Sequence, residues 1–360
     1  MPAPFPAPRQ RELSSEITLS EREALVLQAV ISHYVMTAEP TGSRTLARMF
    51  DLGVSPATIR NTMHDLEEKG MLFHPHTSAG RIPTDRAYRL YVDRLMQARA
   101  LSREEIRQLK ERLEGTATRS ERFIGRAVQA LSVLTRELGV ALAPTLDEAR
   151  LERLDLLPVV SDRVLLVLTV RSAQVKTIFV DLSREMSPEA LREVATFLNE
   201  RLAGLTLREI RETFARRVAD SPAGQEDLLN IFVQSAERLF ASDPGGEHVV
   251  LGTMSGLTEQ PEFASGTSLR TLLTLTEERA RLAQALAARD PGLRITIGME
   301  NAIPSLTDFS LVTADYRIGS LRGTIGVMGP TRMPYEKVIA VVQYTSQLLS
   351  EFFEEGGGDA

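Results

Sequence analysis

Four polar side chains share one predicted helix in the segment SPATIRNTMHDLEEKG, namely Thr58, Arg60, Asn61 and His64. An arginine can donate two hydrogen bonds to one guanine, and an asparagine can pair with both polar groups of an adenine edge. These residue types therefore suit sequence-specific contact with double-stranded DNA. The alternative is a solvated helix face, which is the usual role of polar residues on a short helix.

The residues around these side chains predict the helix that positions them. Ser55 can cap the free amides of the first turn, and Pro56 has its φ preset for the first helical position. Ile59, Met63 and Leu66 recur at i, i+4 and i+7, so one face of the helix is buried. The polar side chains are consequently left on the other faces.

Elements on both sides of this helix complete a known motif. One helix begins at the capping box of residues 20–23, a second and shorter helix begins at Ser43, and a glycine-containing turn leads to the third. Gly70 supplies the left-handed residue that ends the third helix. Two short strands around residues 71–73 and 81–83 then form a hairpin. The sequence predicts a winged helix-turn-helix.

The position of the polar helix, second in a helix-turn-helix and directly before a wing, favours DNA contact over a solvated face. Ser43, Arg44 and Thr45 open the preceding helix, whose amides and hydroxyls suit a backbone phosphate, although Ser43 could also be only a cap. Polar and basic residues of the wing extend the same surface. The candidate DNA-binding residues are Ser43, Arg44, Thr45, Ser55, Thr58, Arg60, Asn61, His64, His74, His76, Thr77, Ser78 and Arg81.

The H-x-H spacing of His74 and His76 raises an alternative at the tip of the wing. Such a pair can ligate a metal ion, but a structural zinc site needs four ligands and the chain has no cysteine. Contact with phosphate is the better interpretation of the tip. The G-x-x-G-x-x-G spacing that ends at Gly329 lacks the pattern of a phosphate-binding loop. No metal and no cofactor are therefore predicted.

Composition limits the possible classes of protein. The formal net charge of −6 argues against nonspecific coating of nucleic acid, so basic character must be local. Residues 40–94 hold eight Lys or Arg and six Asp or Glu, a mild excess that suffices for a small footprint. The chain has neither a cysteine nucleophile nor a G-x-S-x-G motif, so no enzyme is predicted. Without a signal peptide or an uncharged apolar run of about 18 residues, we expect a cytoplasmic protein and no membrane partner.

Beyond the hairpin, the pattern alternates between helices and strands. Apolar runs rich in β-branched residues at 154–160, 164–170 and 175–181 predict three strands, the first two of which form a hairpin. A helical stretch over 187–241 follows, and strands resume at 249–254. A sheet that starts, is interrupted by helices and resumes is typical of an insertion in an α+β domain.

Two long segments resemble the HrcA family of heat-inducible transcription repressors. The first is EPTGSRTLARMFDLGVSPATIRNTMHDLEEKGML, followed by PHTSAGRIPTDRAYRLYVDRLM. The second is IGMENAIPSLTDFSLVTADYRIGSLRGTIGVMGPTRMPYEKVI, near the C-terminus. The motifs HTSAGRIPTD and GVMGPTRMPY within them are long and specific. The similarity is strongest over 38–96 and 295–340, and it is weaker but collinear between them.

The resemblance implies a winged helix, a GAF-like α/β domain and an inserted dimerisation domain. We therefore predict an α+β multidomain protein, with a helix over 119–139 at the start of its GAF-like part. The predicted organisation is a disordered tail at 1–17, a winged-helix DNA-binding domain at 18–97, a helical connector at 98–118, a discontinuous GAF-like domain at 119–182 and 245–353, an inserted, mainly helical dimerisation domain at 183–244, and a disordered tail at 354–360.

The resemblance also implies repression of heat-shock (chaperone) genes. A dimer would bind an inverted-repeat operator, the CIRCE element, and the GroEL chaperonin would help to keep the repressor active. One alternative is a ligand-sensing winged-helix regulator whose GAF-like domain binds a small molecule. A more distant alternative is an enzyme with a winged-helix appendage.

A single winged helix with a mild charge excess covers too little DNA for a selective repressor, so a two-fold homodimer is predicted. Its interface needs apolar surface, and one helix within 187–241 carries a wide apolar stripe. The predicted dimerisation residues are Leu229, Phe232, Val233, Ala236 and Phe240. The alternative is that this stripe packs against the sheet of its own domain.

Overall fold

The computed structural model describes residues 18–75, 80–113, 120–144, 149–160, 163–170, 174–182, 186–219, 232–233, 249–264, 270, 272–274, 279–319 and 321–355. It is a mixed α and β structure that divides into two compact units. The first unit comprises Met1–Leu142, Val249–Asp315 and Thr324–Gln347. The second comprises Ala143–His248, Tyr316–Gly323 and Leu348–Ala360. In the described part of the chain, no helix is long and apolar enough to cross a membrane.

The first unit begins with three helices and a small antiparallel hairpin. The capping box is confirmed, since Ser20 and Glu23 exchange hydrogen bonds at the start of the first helix. Gly70 has a φ of +71°, as expected of the left-handed residue that follows the third helix. The elements are α1 Glu21–Thr37, α2 Ser43–Met49, α3 Pro56–Glu68, β1 Leu72–Phe73, β2 Ile82–Pro83 and α4 Asp85–Leu90.

A wider sheet forms most of the rest of the first unit, and residues 316–318 and 321–323 at the ends of two of its strands belong to the second unit. A π-helical turn, Tyr91–Leu95, follows α4, and the chain continues through α5 Arg103–Leu113 and α6 Ser120–Thr135. Five strands then pair in the order β7-β3-β10-β9-β8. The strands are β3 Leu138–Leu142, β7 Val249–Leu251, β8 Arg294–Ile297, β9 Phe309–Ile318 and β10 Leu321–Pro330. The helices of this part of the chain are α9 Ser255–Thr258, α10 Arg279–Ala287 and α11 Tyr335–Glu355.

The predicted helix over 119–139 is too long. Arg136 has a left-handed φ of +62°, so α6 ends at Thr135, and Leu138 opens a strand that pairs on both sides, with β10 and with β7. Gly139 is required here, because a Cβ at this position would overlap the carbonyl oxygen of Val128. The apolar run LGVAL fits a helix or a strand equally well, and only the two neighbouring strands decide between them.

The second unit contains its own three-stranded antiparallel sheet, in the order β4-β5-β6. Its elements are β4 Leu151–Val160, β5 Arg163–Val170, β6 Gln174–Asp181, α7 Pro188–Leu202 and α8 Leu207–Arg217. Alternate residues of the strands, such as Leu154 and Leu166, are fully buried against Leu191 and Leu198 of α7. Asn199 ties the helix to the sheet by bonding both the N–H and the carbonyl oxygen of Leu154.

This division differs from the predicted insertion at 183–244. Among the described residues, the strands of 151–181 pair only with one another and share a core with α7 and α8, so the second unit already begins at Ala143. The predicted continuation of one sheet across the interruption is therefore wrong for these three strands. The predicted hairpin between the first two is confirmed by the antiparallel pairing of β4 with β5.

The predicted dimerisation stripe falls largely outside the described residues, namely at Leu229, Ala236 and Phe240. The two described members belong to the core of the second unit. Phe232 is fully buried, and Val233 packs against the same cluster. Phe232 thus contributes to the stability of its own unit, as the alternative interpretation of the stripe expected.

Candidate nucleic-acid interface

Helix α3 is built as its local sequence predicts. The Ser55 Oγ accepts a hydrogen bond from the Thr58 N–H at 3.2 Å, and proline occupies the first helical position. Ile59, Met63 and Leu66 are buried to within 1 % of full burial. The helix packs on this apolar face against α1 and α2, so its opposite face is held outward by the core of the first unit.

The exposed face carries most of the predicted base-reading residues. Arg60, Asn61 and His64 are exposed, and Thr58 is half-buried. The His64 ring lies 3.9 Å from Glu67 on the same helix. The side chains of Arg60 and Asn61 are adjacent in sequence and carry the two hydrogen-bonding patterns that suit guanine and adenine.

The start of α2 differs in one detail from its prediction. Ser43 is the first helical residue, but the cap position belongs to Gly42, which offers no side-chain hydrogen bond. The side chain of Ser43 is buried and Thr45 is half-buried, so Arg44 is the exposed residue of the three. An arginine at this position can still reach a phosphate, because its side chain is long.

The hairpin pairs Leu72 with Pro83 and Phe73 with Ile82. His74 follows β1, is exposed, and places its Nε2 3.5 Å from the Glu67 carboxylate. The predicted contacts His76, Thr77 and Ser78 lie outside the described residues.

Glu67 holds the hairpin to α3, a role that sequence reasoning missed. The Arg81 Nε and Nη2 donate to Glu67 Oε2 at 3.1 and 3.0 Å. The Arg81 side chain is only 12 % exposed. Its observed contact is thus an ion pair within the protein, whereas its phosphate contact stays a prediction. Glu67 lies on the polar face of α3, but no local signal identifies a partner fourteen residues away.

Removing this ion pair should loosen the hairpin. In a double-mutant cycle of Arg81→Ala and Glu67→Ala, we expect a coupling free energy of about 1–2 kcal/mol, because the pair is charged, hydrogen-bonded and largely shielded from water. Urea unfolding of the wild type, both single variants and the double variant measures it. A cycle on the exposed pair Arg192–Glu189 is the control, with an expected coupling below about 0.5 kcal/mol. Additive effects of Arg81 and Glu67 would contradict the inferred role.

A second contact fixes the return strand against the turn before α2. Thr41 and Arg81 exchange backbone hydrogen bonds at 2.9 Å in both directions. Gly80 allows this approach, since a Cβ would overlap the backbone of Thr41. The buried His33 ring contacts the Thr41 hydroxyl at 3.0 Å, which anchors the turn to α1. The base of the hairpin is consequently tied both to α3 and to the turn before α2.

The helix that follows the hairpin is clamped to the five-stranded sheet. Arg89 donates from Nε and Nη2 to the two carboxylate oxygens of Glu300, and from Nη2 to the Ile295 carbonyl at 2.6 Å. Asp93 accepts a further bond from Nη1 at 3.2 Å. Burial alone lowers the pKa of Arg89, but the bonds to Glu300 and Asp93 outweigh burial and raise its pKa above the usual value. The guanidinium therefore remains charged in a shielded position.

The same clamp has a backbone component. The Asp85 carboxylate accepts the Met299 N–H at 3.1 Å and lies directly against Gly298, whose φ is +53°. Any side chain at Gly298 would collide with this carboxylate. Burial raises the pKa of Asp85, and the Met299 hydrogen bond partly offsets that effect.

Residues of the motif GVMGPTRMPY make a third attachment. The Arg332 Nη1 donates to the Val35 carbonyl at the end of α1 at 2.6 Å, while its Nε and Nη2 bind Glu262. The rings of Tyr88 and Tyr335 lie with their centroids 5.9 Å apart. These contacts join segments about 300 residues apart in sequence, so the long C-terminal motif serves to hold the N-terminal helices in place.

Comparison with known proteins places the chain among the transcription repressors, a class without enzymatic activity. The family model of the HrcA protein C-terminal domain matches residues 121–339. The "Heat-inducible transcription repressor HrcA" of Chlorobium phaeobacteroides (strain BS1) is 40% identical over 344 residues, covering 92% of this chain and 97% of that protein. The protein of the same name from Chlorobium luteolum is 40% identical over 352 residues, covering 94% and 98%. The chain belongs to the HrcA family of heat-inducible transcription repressors, which confirms the resemblance seen in the sequence.

A solved crystal structure supports the fold. It is that of a protein described only as hypothetical, at 22% sequence identity and a TM-score of 0.56, and the match covers 94% of this chain and 100% of that chain. At this level of identity the likeness concerns the fold alone.

Proposed function

We propose that this repressor is a cytoplasmic protein that reads double-stranded DNA with α3 and uses the β1–β2 hairpin as a wing. The observation that carries the proposal is the division of α3 into a buried apolar face and an exposed face with Arg60 and Asn61. A helix held in this way can enter a major groove with two side chains suited to direct readout. The family membership supplies the regulatory role, repression that heat relieves.

The proposal extends to the operator and to a protein partner. Two copies would bind the two halves of an inverted repeat, the CIRCE element, upstream of chaperone genes. The GroEL chaperonin would keep the repressor active. These parts rest on the family alone, whereas the DNA surface also rests on the geometry of α3. The five-stranded sheet of the first unit would be the GAF-like part of the chain.

Arg60 and Asn61 provide the test of direct readout. Arg60→Ala and Asn61→Ala should each weaken binding to the inverted repeat by about 1–3 kcal/mol and leave binding to scrambled DNA nearly unchanged, because base contacts carry specificity and phosphate contacts do not. Gel-shift titrations on both DNAs at one fixed salt concentration measure the difference. Arg192→Ala, on an exposed helix face of the second unit, is the matched control.

Two results would count against this assignment. Equal losses on the inverted repeat and on scrambled DNA would move both residues to the class of phosphate contacts. Unchanged affinity in both variants would remove α3 from the interface altogether. A footprint of the wild type on chaperonin-gene promoters tests the identity of the operator separately.

The dimer surface requires a revised location, because Phe232 is buried in its own unit. A row of apolar side chains crosses the outer face of the three-stranded sheet, where Leu157 is paired with Leu165 and Leu165 with Phe179. Leu157 and Phe179 are 49% and 57% exposed. We refer to these three residues as the outer apolar row. It supports an interface between two copies, since exposed contiguous apolar residues mark association sites.

A charge in the outer apolar row should prevent dimerisation. We expect Phe179→Glu to yield a folded monomer that loses operator binding but retains weak nonspecific affinity, because the carboxylate would have to lose its water on association. Light scattering and circular dichroism report assembly and folding. Val133→Glu, at an exposed apolar position of α6, should remain dimeric. A Phe179→Glu protein that is folded and still dimeric would exclude this surface.

A further inference from the structure

A cavity of about 780 Å³ lies in the first unit, beside the edge of the five-stranded sheet. Its walls come from the end of α10, from β8, from one residue of β9 and from the segment 300–306. This size is typical of sites for small organic molecules. The DNA surface described above does not use any of these residues except through Glu300.

Two buried polar atoms at the cavity have no hydrogen-bond partner within the described residues. They are the Nε of Arg294 and the Oγ of Ser305, and both residues line the cavity. The Arg294 Nη2 binds Asp290 at 3.1 Å, which leaves the Nε as an unused donor of the same guanidinium. Buried donors are nearly always paired in folded proteins, so a group that fills the cavity has two hydrogen bonds to gain.

The electrostatics of the cavity favour a negative ligand. The Arg289 side chain is half-buried, and its guanidinium donates to the hydroxyls of Thr296 and Thr313 at 2.5 and 3.0 Å. Burial, reinforced by the nearby Arg294, lowers the pKa of Arg289 to about 10, which means that its positive charge is poorly solvated. An anion in the cavity would lie beside the guanidinium groups of Arg289 and Arg294, and an opposite charge favours their charged form.

The two carboxylates at the cavity are already engaged. Glu300 is clamped by Arg89, and Asp290 accepts from Arg294. The wall also has an apolar part, which includes Ala288, Ile303 and Leu306. An inorganic ion could satisfy the donors but would leave this apolar wall without a contact. A ligand with an anionic end and an apolar body matches both parts.

We propose that this cavity is a binding site for a small organic carboxylate, whose oxygens accept from the Arg294 Nε and the Ser305 hydroxyl. The site does not depend on the proposed DNA contacts. Glu300 links the site to the DNA surface, since Glu300 belongs both to the cavity wall and to the clamp on Arg89. Asn301 holds the same segment by donating to the carbonyl oxygens of Gly298, Leu306 and Phe309.

Benzoate is a suitable probe, because it combines a carboxylate with a small apolar ring. Isothermal titration of the full chain in the absence of DNA should show saturable one-to-one binding of benzoate at millimolar concentration, and much weaker binding of the neutral isostere benzamide. Inorganic phosphate should also bind more weakly than benzoate. Absence of saturable benzoate binding, or equal affinity for benzamide or phosphate, would overturn the proposal.

Two substitutions distinguish a binding role from a structural one. Ser305→Ala removes a hydroxyl without a partner, so it should leave the unfolding midpoint unchanged or raise it while weakening benzoate binding. Arg294→Gln should reduce benzoate affinity about tenfold, the loss of one charge-assisted hydrogen bond. Arg192→Gln in the second unit is the control and should bind benzoate as the wild type does. Unchanged benzoate affinity in both cavity variants would place the carboxylate elsewhere and refute the assignment.

Discussion

Replacing Arg89 with leucine should lower the free energy of unfolding by about 3 kcal/mol, because one partner of a shielded ion pair is removed and the others remain. The Arg89 side chain is 10% exposed and binds Glu300, Asp93 and the Ile295 carbonyl. Without the guanidinium, the Glu300 carboxylate loses the partner that binds both of its oxygens. The site is shielded, so water solvates the remaining carboxylate poorly. Urea unfolding at neutral pH measures the loss.

Arg107→Leu is the matched control for this prediction. Arg107 also binds two carboxylates, Glu104 and Glu111, but its side chain is 61% exposed. We expect a much smaller loss there, since surface ion pairs contribute little. If both variants lost the same stability, shielding would not be the cause of the Arg89 effect. A reduced operator affinity of Arg89→Leu under fully folded conditions would additionally link the clamp to the DNA surface.

Replacing Glu137 with glutamine should remove a large pH dependence of stability. Glu137 is buried at the start of β3, its Oε2 accepts from the Gln260 side chain at 3.1 Å, and its carboxyl lies against Gly329. Burial raises the pKa of Glu137 from 4.5 to about 8. A neutral carboxyl therefore fits this site better than a charged one, and glutamine has nearly the same shape.

The sign of the effect follows from the raised pKa. The folded protein retains the proton of Glu137 at pH values where the unfolded chain has lost it, so stability from this group is complete below pH 4.5 and is lost as pH rises to about 8. The loss is on the order of 5 kcal/mol at most. Wild type and Glu137→Gln should thus be similar near pH 4.5 and differ most above pH 8.

Urea unfolding of both proteins across this pH range gives the difference curve, in which the other titrating groups cancel. Glu259→Gln is the control, because Glu259 is 66% exposed and pairs with Arg136 at the surface. Its difference curve should be flat. A flat curve for Glu137→Gln as well would show that the carboxyl is solvated in the folded protein.

Local sequence determined the parts of this protein that depend on near neighbours. The capping box at Ser20, the proline at the start of α3, the apolar spacing of α3 and the left-handed Gly70 all act within a few residues. For this reason the helices of the N-terminal segment and the outward position of Arg60 and Asn61 could be predicted. The family could be predicted as well, because two long motifs carry it.

Tertiary structure decided which strands share a sheet. Periodicity identifies a strand but does not name its partner, so it does not predict that the runs at 154–160, 164–170 and 175–181 form a sheet of their own. The hydrogen-bond register places them in the second unit, while LGVAL at 138–142 became a strand because strands lie on both sides of it. The tertiary structure likewise places Phe232 in the core of the second unit and not on a dimer surface.

The contacts that fix the candidate DNA surface are also tertiary. Arg81 of the hairpin donates to Glu67 of α3. Arg89 donates to Glu300, 211 positions away in the sequence, and Arg332 donates to the carbonyl oxygen of Val35, 297 positions away. Charged residues on amphipathic helices have many possible partners, and a sequence does not rank them. Burial determines which partner a charged residue has, because a charge shielded from water is stable only beside an opposite charge.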